Sequence, residues 1–471
     1  MTEFMRQTDA FAWAMESDPR LRSTVVAVIL LDRSPDWDDL CYRFDLISRK
    51  FPVFRQRVVE SPPPAPPRWE DCPDFDLDFH MRRVTAATPG TLDSVLELGR
   101  LAEMEAFDRA RPLWKVTLID GLANGEAAVL WTFHHALSDG VGGVQIAMTL
   151  FDSAEHPQQQ ANSPTEPAML EASWLDGYRD TFRYIARRFV SALTGAVKST
   201  ARLTHQSIRH PVATAAAAAA IAASVYRTVR PVNRTGSPLM KERNLIRHLA
   251  VHEVSMPQLR EAAHGCGAAL NDAFIAGVTG GLRQYHEKHG ACVGELHMTM
   301  PISLRTNADE MGGNRITLMR FDVPAGVADP GERIKQTRER TGRARRERSL
   351  PYTQVIAGAL NLMPRWYIGS ILRHVDFLAS NVGSIRAPAC VGDALVRSVY
   401  AFGPTIGAAV NVTLLTYAET CYLGIDIDSG AIPDHDVLRE CLIHGFNEVV
   451  ALAPTGRPLS SDIISPASER C

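Results

Sequence analysis

The stretch Ala127-Ala-Val-Leu-Trp-Thr-Phe-His-His-Ala-Leu-Ser-Asp-Gly140 decides how this chain is expected to fold. Its first seven residues form an apolar run that is typical of a buried strand. A loop with Asp139 and several glycines follows, and the helical pattern of Val144 to Phe151 comes after it. His134 and His135 therefore lie where a rigid strand ends and an open loop begins, and catalytic and binding residues are common at such positions.

The same alternation of apolar strands and helical patterns continues on both sides of this stretch. It runs from the start of the chain to about residue 152, with a helical pattern from Leu92 to Phe107, and it resumes from Arg247. Such alternation predicts a mixed α/β fold in which helices and sheets form layers. We predict an N-terminal half at 1–152, a helical, alanine-rich connector at 153–240 and a C-terminal half at 241–471.

The predicted connector mixes basic, aromatic and apolar residues with a run of alanines. A helix of this composition packs against its own protein or lies on a lipid surface, and both interpretations stay open. No apolar run in the chain reaches the ~20 residues needed to span a bilayer. We therefore expect a cytoplasmic protein, with peripheral contact to a membrane or lipid inclusion as an alternative.

Composition and charge narrow the classes of partner. The 471 residues are 45% hydrophobic, and 50 Lys and Arg stand against 53 Asp and Glu, which gives a formal net charge of -3. This charge provides no global field that would gather nucleic acid, and the basic run 343–348 is expected to be a solvated helix face. The cysteines include no Cys-x-x-Cys pair, so we expect free thiols and no structural zinc site.

The two histidines are expected to do different jobs, because neighbouring side chains on a strand point to opposite faces. A neutral imidazole takes a proton from an alcohol and later returns one to a leaving thiolate, as acyl transfer to a hydroxyl requires. Asp139 is expected to orient a histidine or to brace the loop, and Gly140 to leave space for a narrow cofactor arm. A metal held by His134, His135 and Asp139 is not expected, since adjacent strand histidines diverge. From the residues alone, catalysis and core packing both stay open.

The segment from His134 to Gly140 resembles the His-His-x-x-x-Asp-Gly motif of CoA-dependent acyltransferases. Within that superfamily, the chain resembles the bacterial wax ester synthase/diacylglycerol acyltransferases. Further segments match family elements in the same order and spacing, which is more specific than one motif. They are Thr8-Asp-Ala-Phe11, Pro52-Val-Phe-Arg-Gln-Arg57, Arg111-Pro-Leu-Trp114, Asn271-Asp272, and Pro301-Ile-Ser-Leu-Arg305 with Gly313-Asn314.

The resemblance implies two chloramphenicol-acetyltransferase-like halves with a tunnel between them, where acyl-CoA and a lipid alcohol meet. It implies that His135 is the general base, that His134 supports it and that Asp139 orients it. Gly140 would leave clearance for the CoA arm, and no bound cofactor is expected, because acyl-CoA is a co-substrate. The residues that support the motif are Asn271, Asp272, Asn381 and Arg305, of which Asn271 and Asp272 are expected to brace the start of a helix.

The activity implied is transfer of a long acyl chain from acyl-CoA to diacylglycerol, with fatty alcohols as a second acceptor. Two other functions stay open. A condensation enzyme of the same superfamily would take its acyl group from a carrier protein instead of free CoA. A lipid-binding relative would bind acyl-CoA or neutral lipid without making an ester.

One element departs from the family pattern. Where the family has Ser-Asn-Val-Pro-Gly-Pro, this chain has Ser380-Asn-Val-Gly-Ser-Ile385, so Asn381 is kept and both prolines are lost. We expect this change to reshape the tunnel floor, and so to alter acceptor choice or to lower activity. The Ser-Pro that precedes Asp9 in the family pattern is replaced by Gln7-Thr8.

Overall fold

The computed structural model describes residues 3–153, 219–227, 230–303, 316–364 and 374–454, together with 179, 181, 183, 184, 186, 187, 367, 369 and 372. Arg305 and most of the predicted connector lie outside the described residues, so what we expect of them stays a prediction. The fold is mixed α/β, as the alternating patterns predicted, and it is built on two large sheets.

Sixteen strands form three sheets in the described parts of the chain. In chain order they are β1 (Glu3–Phe4), β2 (Thr24–Leu31), β3 (Gln56–Val59), β4 (Arg68–Asp71), β5 (Met81–Thr85), β6 (Trp114–Asp120), β7 (Ala127–His134), β8 (Asp152–Ser153), β9 (Arg247–Ser255), β10 (Glu295–Ser303), β11 (Ile316–Pro324), β12 (Phe377–Ile385), β13 (Ala389–Val391), β14 (Ala394–Phe402), β15 (Val410–Tyr417) and β16 (Thr420–Asp428). β1, β4 and β3 form a small sheet in that order.

Helices cover the two large sheets and fill the space between them. They are α1 (Gln7–Met15), α2 (Trp37–Lys50), α3 (Leu77–His80), α4 (Leu92–Met104), α5 (Gly140–Leu150), α6 (Met256–Gly265), α7 (Leu270–Lys288), α8 (Pro330–Arg345), α9 (Thr353–Leu360) and α10 (His435–Val450). Residues 219–227 of the predicted connector are also helical.

The first large sheet has seven strands in the order β5-β6-β7-β2-β14-β13-β8. β7 is the strand predicted from the apolar run, and it is buried along its whole length. Both of its neighbours pair with it antiparallel, β2 with Thr24 opposite His134 and β6 with Trp114 opposite Phe133. A strand flanked on both edges and covered on both faces has no solvent side, which explains the unbroken apolar sequence.

The second large sheet has six strands in the order β11-β10-β12-β15-β16-β9. On one face, α7 and α10 pack together so closely that a Cβ at Gly445 would lie 2.3 Å from the backbone nitrogen of Gly281. The other face turns toward the first half, where α4 lies between the sheets. A Cβ at Gly99 of α4 would be 3.4 Å from Leu249 of β9 and 3.6 Å from Val26 of β2.

Two strands from late in the sequence complete the first sheet. β14 pairs antiparallel with β2 from Val396 opposite Leu31 to Phe402 opposite Val26. β13 then pairs with β14 and with the short β8. The predicted boundaries at 152 and 241 stay a prediction, but β13 and β14 of the second half belong to the sheet of the first half.

The cysteine expectation holds in part. Cys41, Cys72, Cys266, Cys292, Cys421 and Cys441 are free thiols. Cys390, on β13, is disulfide-bonded, so the expectation of free thiols throughout is wrong at this position. A search of the described helices finds none that is both long and apolar enough to cross a membrane.

Candidate active site

The backbone of the two histidines is fixed from both sides. The His134 N–H donates to the carbonyl of Leu113, which precedes β6, at 2.9 Å. The His135 N–H donates to the carbonyl of Ser23, which precedes β2, at 2.8 Å. The Pro-Leu-Trp segment therefore contributes a backbone anchor to the motif, and its Trp114 is a core residue that is 1% exposed.

The His134 side chain is locked inside the protein. Its Nδ1 accepts the Ala136 N–H at 3.0 Å, so the ring proton of the neutral imidazole is on Nε2. That Nε2 lies 3.2 Å from Glu16 Oε1, and the edge of the ring contacts Trp13. These contacts hold the ring in place, and the supporting role expected for His134 stays a prediction.

Glu16 is a site residue that the sequence did not reveal. Burial alone would raise the pKa of Glu16, but hydrogen bonding with His134 and with the Ser23 N–H at 2.9 Å holds it below its ordinary value. Glu16 is therefore ionised at neutral pH and orients His134. Glu16 follows α1, about 120 residues before the motif, and no local pattern in the sequence connects the two.

His135 faces the opposite way and lines a cavity between the two halves. Burial lowers the pKa of His135 below its ordinary value, while the charge of Asp139 acts in the raising direction and is outweighed. The imidazole is therefore neutral at pH 7 and able to accept a proton. The opposite directions of His134 and His135 are those predicted from the strand period.

Asp139 caps α5 and is fully buried. Its Oδ1 accepts the Gly142 N–H at 2.7 Å, and its carbonyl accepts the Gly143 N–H at 2.7 Å. The sequence left open whether Asp139 orients a histidine or braces the loop. The contacts show that it braces the turn into α5 and also places a negative charge near His135.

Gly140 has a packing role that the sequence did not reveal. A Cβ at this position would lie 2.4 Å from Val382 Cγ1 and 2.9 Å from Val382 Cβ. The glycine is therefore required by close packing of α5 on β12. Gly140 also lines the cavity, and its expected role in clearance for a cofactor arm stays a prediction.

Asn271 and Asp272 begin α7, as the sequence predicted. Asp272 accepts the Ala269 N–H at 3.0 Å and the Thr341 hydroxyl at 2.7 Å, which satisfies the start of the helix. Asn271 lies 3.4 Å from the sulfur of Met300. Neither is among the described residues that line the cavity, and both sets of contacts are structural.

The cavity has a volume of about 120 Å³ and is formed by both halves. The first half contributes β2, β7 and α5, and the second contributes β12, β14, β15 and the loop after β14. Most of the lining is aliphatic or aromatic, which suits an acyl chain. The polar side chains among the lining residues are His135, Ser380, Asn381, Asn411 and Thr413.

Asn411 and Thr413 are lining residues that the sequence analysis missed. They occupy alternate positions of β15, so both side chains lie on one face of the sheet. Polar residues at period two within an otherwise apolar strand were the available signal. Asn411 Nδ2 donates to the Pro404 carbonyl at 2.9 Å.

The altered segment at Ser380 to Ile385 forms most of β12. The strand bulges between Asn381 and Gly383, and Gly383 has a φ of 121°. Proline holds φ near −65°, so the residue that the family pattern has here could not adopt this backbone. Ile385 is 1% exposed and lines the cavity. The altered segment therefore forms part of the cavity wall, and its expected effects on the shape of the tunnel and on activity stay predictions.

Within the described residues, one cluster has the composition of a metal site: His248, His435 and Asp436. The two imidazole rings are stacked, with centroids 3.5 Å apart and planes at 9°. The lone pairs of parallel rings do not converge on one point, so this arrangement is a poor cage for an ion. We assign no metal to it.

Known proteins resemble this chain in sequence and in fold. A Mycobacterium tuberculosis protein named as a diacylglycerol O-acyltransferase is 34% identical over 444 residues, which cover 93% of this chain and 90% of that protein. The M. tuberculosis diacylglycerol O-acyltransferase tgs1 is 26% identical over 94% of each chain.

Two solved structures show the same fold. The wax ester synthase/diacylglycerol acyltransferase of Marinobacter aquaeolei VT8 has a TM-score of 0.62 at 20% identity, covering 96% of this chain and 99% of that one. The starter condensation domain of rhizomide synthetase has a TM-score of 0.61 at 12% identity, covering 96% and 94%.

Two domains of one protein family match the sequence. Residues 5–274 match the wax ester synthase/diacylglycerol acyltransferase catalytic domain, and 312–449 match the C-terminal domain of that family. The matched catalytic domain contains β7, both histidines and α5. This chain belongs to the wax ester synthase/diacylglycerol acyltransferase family.

Proposed function

We propose that this protein is an acyl-CoA-dependent O-acyltransferase that moves a long acyl chain onto diacylglycerol, with fatty alcohols as a second acceptor. The observation that carries the proposal is a neutral, partly buried His135 in the wall of an apolar cavity between the halves. The names of the relatives support diacylglycerol as the acceptor.

The proposed reaction uses His135 as base and then as acid. The imidazole takes the proton of the acceptor hydroxyl as its oxygen attacks the thioester carbonyl. The tetrahedral intermediate collapses with cleavage of the C–S bond, and the imidazolium returns the proton to the leaving CoA thiolate. The product is an ester and free CoA. Holding both substrates in one cavity supplies much of the remaining acceleration.

The apolar lining matches a long acyl chain. Each methylene removed from water contributes roughly 0.8 kcal/mol, so a chain in this cavity would be held mainly by its length. Acyl-CoA enters as a co-substrate in this proposal and leaves as CoA.

We also propose that the protein docks on an anionic lipid surface through one basic and apolar patch. Its arginines lie in the last turn of α8 and directly after it, and its apolar side chains lie directly before α9, on it and after it. All are exposed, and Val355 and Leu362 are 65% and 67% exposed. The patch consists of Arg343, Arg345, Arg346, Arg348, Tyr352, Val355, Leu362 and Met363.

Two features of the patch favour lipid over water. Apolar side chains exposed to this extent are in contact with water, and transferring them into a lipid–water interface is favourable. Neighbouring arginines add about 1 kcal/mol each near an anionic surface. The nearby helix 219–227 presents Tyr226, which is 65% exposed, and is tied to this region because Ser224 donates to Glu347 at 2.6 Å.

The test of the enzymatic proposal is ester formation from labelled acyl-CoA with diacylglycerol or a fatty alcohol as acceptor. We expect ester from wild type and a loss of about 10²-fold or more in His135→Ala. His252→Ala is the matched control, because His252 is a partly buried histidine on β9 outside the cavity lining. Ester from a carrier-bound acyl group alone would favour a condensation enzyme, and binding without turnover would favour a lipid-binding protein.

A further inference from the structure

Three acidic side chains and one arginine are buried together where the two halves meet. Glu103 is on α4 of the first half, and it is 7% exposed. Arg247 on β9 is 6% exposed, and Asp426 and Asp428 on β16 are 0% exposed. The proposed chemistry uses none of these four groups.

Asp428 forms an ion pair with Arg247. Its Oδ2 accepts from Arg247 Nη1 at 2.9 Å, and its Oδ1 accepts the Asn244 and Gly430 N–H groups at 3.0 and 2.9 Å. Asp428 is therefore a fully compensated anion. The charge of Arg247 also acts on the other two acids, and it lowers the pKa of both Asp426 and Glu103 without outweighing their burial.

Glu103 and Asp426 are in a different situation. Glu103 Oε2 and both carboxyl oxygens of Asp426 are buried and accept no hydrogen bond from a donor in the described part of the chain. Two ionised carboxylates in that state would repel each other at low dielectric, a cost that buried ions do not sustain. A single proton between them removes the repulsion and supplies the missing donor.

The electrostatics agree with this geometry. Burial raises the pKa of Glu103 well above its ordinary value, and Asp426 adds to the rise. Burial also raises the pKa of Asp426, to about 6, against the lowering influence of Arg247 and of Glu103 as a hydrogen-bond partner. Glu103 is thus the member of the pair that holds the proton, and Asp426 is the carboxylate that accepts from it.

The pair lies behind one wall of the cavity. Asp426 is directly opposite Asn411 across β16 and β15, so the two side chains share a face of the sheet. Asn411 lines the cavity and holds the carbonyl of Pro404. The backbone N–H of Thr405 faces Asp426 and lowers its pKa.

The loop 403–407 needs such support, because its backbone is strained. Ile406 has a φ of 46°, which is the left-handed region that a β-branched residue avoids. Gly403, Pro404 and Ile406 all line the cavity. A backbone of this kind persists only where its surroundings hold it in place.

We infer that Glu103 and Asp426 share one proton and that this acid pair positions the loop 403–407, and with it the cavity wall, across the boundary between the two halves. Both are positioning residues and touch no substrate. The charged groups beside the pair come from β9, β16 and the segment before β2. Arg247 acts on both acids, Asp428 adds a negative charge near Asp426, and Arg22 donates to the carbonyl of Met104, the residue after Glu103.

The inference gives a definite pH dependence. The raised pKa values mean that the native pair keeps a proton which the unfolded chain would release. Stability from this proton is present at low pH and is lost as pH rises through the native pKa of Glu103. Ionisation of Glu103 then places two like charges together, pushes α4 from β16 and loosens the loop.

The test compares Glu103→Gln with Glu103→Leu. The glutamine amide is a permanent donor of similar size to the acid, whereas leucine offers no donor. Glu105→Gln is the matched control, because Glu105 is two residues away, exposed, and paired only with Lys115 at 3.1 Å. The inference rests on the proposed function only in taking the cavity as the acyl site. The assay therefore measures binding and not turnover: the ligand is a non-reactive thioether analogue of a long-chain acyl-CoA, and its affinity is measured by calorimetry.

We expect wild-type affinity to fall as pH rises through the native pKa of Glu103 and the affinity of Glu103→Gln to stay level. Glu103→Leu should bind about ten-fold more weakly throughout. Infrared difference spectra should show a protonated carboxylic acid in wild type and Glu105→Gln that is absent in Glu103→Gln.

Equal pH dependence of wild type and Glu103→Gln, or an unchanged carboxylic acid band, would overturn the inference. If Glu103→Leu does not fold, the comparison of wild type with Glu103→Gln still decides. A protein that shows the band and the binding profile but makes no ester would refute the proposed function and leave the acid pair intact.

Discussion

His135 owes its protonation state to two neighbours that act in opposite directions. Burial lowers the pKa of His135, and the charge of Asp139 partly offsets that. Replacing Asp139 with asparagine removes the charge and keeps a side chain that caps a helix equally well. We therefore expect Asp139→Asn to lower the pKa of His135 further.

The activity profile should report this shift. A base must be neutral, so the rate falls as pH drops through the pKa of His135, and in Asp139→Asn this fall should move to lower pH. The measurement is kcat/KM against pH with saturating acceptor. Asp93→Asn, an equal charge change at an exposed site on α4, should leave the profile in place. A shift to higher pH in Asp139→Asn would contradict this account of the site.

Gly140 gives a second prediction at this scale. In Gly140→Ala the new Cβ would lie 2.4 Å from Val382 Cγ1, so α5 and β12 must separate. Overpacking of this kind costs about 1–3 kcal/mol of the free energy of unfolding, and activity should fall because α5 carries the loop after His135. Chemical denaturation measures the first effect and ester formation the second.

Gly265 provides the control for that substitution. It ends α6, and a Cβ there meets no atom within 4 Å. Gly265→Ala should be neutral or stabilise the protein by a few tenths of a kcal/mol. If Gly140→Ala were as mild as Gly265→Ala, close packing between the halves at this point would be the wrong explanation for the glycine.

The two histidines show what sequence could and could not predict about single residues. Strand period alone separated the direction of His134 from that of His135, because alternation is a local property of the backbone. Glu16 was missed because its contact with His134 joins distant segments, and Val382 was missed as the neighbour of Gly140 for the same reason. Arg305 lies outside the described residues, so its role stays a prediction.

At the scale of elements, the patch on α8 and α9 is the feature most open to test. We expect wild type to sediment with vesicles that contain anionic lipid and much less with zwitterionic vesicles. Val355→Asp combined with Leu362→Asp should reduce binding about ten-fold or more, since it places charge where hydrocarbon would enter the interface. Co-sedimentation over a series of salt concentrations measures both contributions.

Leu101→Asp is the matched control for the patch. Leu101 is 49% exposed and lies on α4, so it carries the same chemical change on a different element. It should bind vesicles as wild type does. Equal loss in Leu101→Asp and in the patch variant, or binding that ignores lipid charge, would refute docking through this patch.

Elements were predicted well wherever their pattern was strong and local. β7 and α4 fall where apolar period placed them, and in the first turn of α7 Asp272 makes the capping contact expected of its residue type. The basic run 343–348 was expected as a helix face, and its first residues end α8. Periodicity gives no information on which elements are neighbours, so the meeting of α5 with β12 needed the structure.

At the scale of the whole molecule, the sequence could not show that β13 and β14 join the sheet of the first half. Two mixed halves followed from the repeated alternation, but β14 has the same apolar character as a strand of either sheet. Its pairing with β2 is set by the shape of the complete protein. Val396, Val399, Tyr400 and Phe402 consequently belong to the core of the first half.

Because β14 completes the first sheet, we predict that the first half does not fold alone. A fragment of residues 1–229 lacks β14 and so exposes the edge of β2 from Val26 to Leu31, together with the core surface that β14 covers. An apolar strand with an open edge is a template for aggregation. We expect this fragment to aggregate or to lack cooperative unfolding, whereas co-expression with 230–471 should restore a soluble, cooperatively folding complex, because β14 reaches β2 without a covalent link. Size-exclusion chromatography and near-ultraviolet circular dichroism distinguish these states, and a monomeric 1–229 with native tertiary signal would show that the halves are independent.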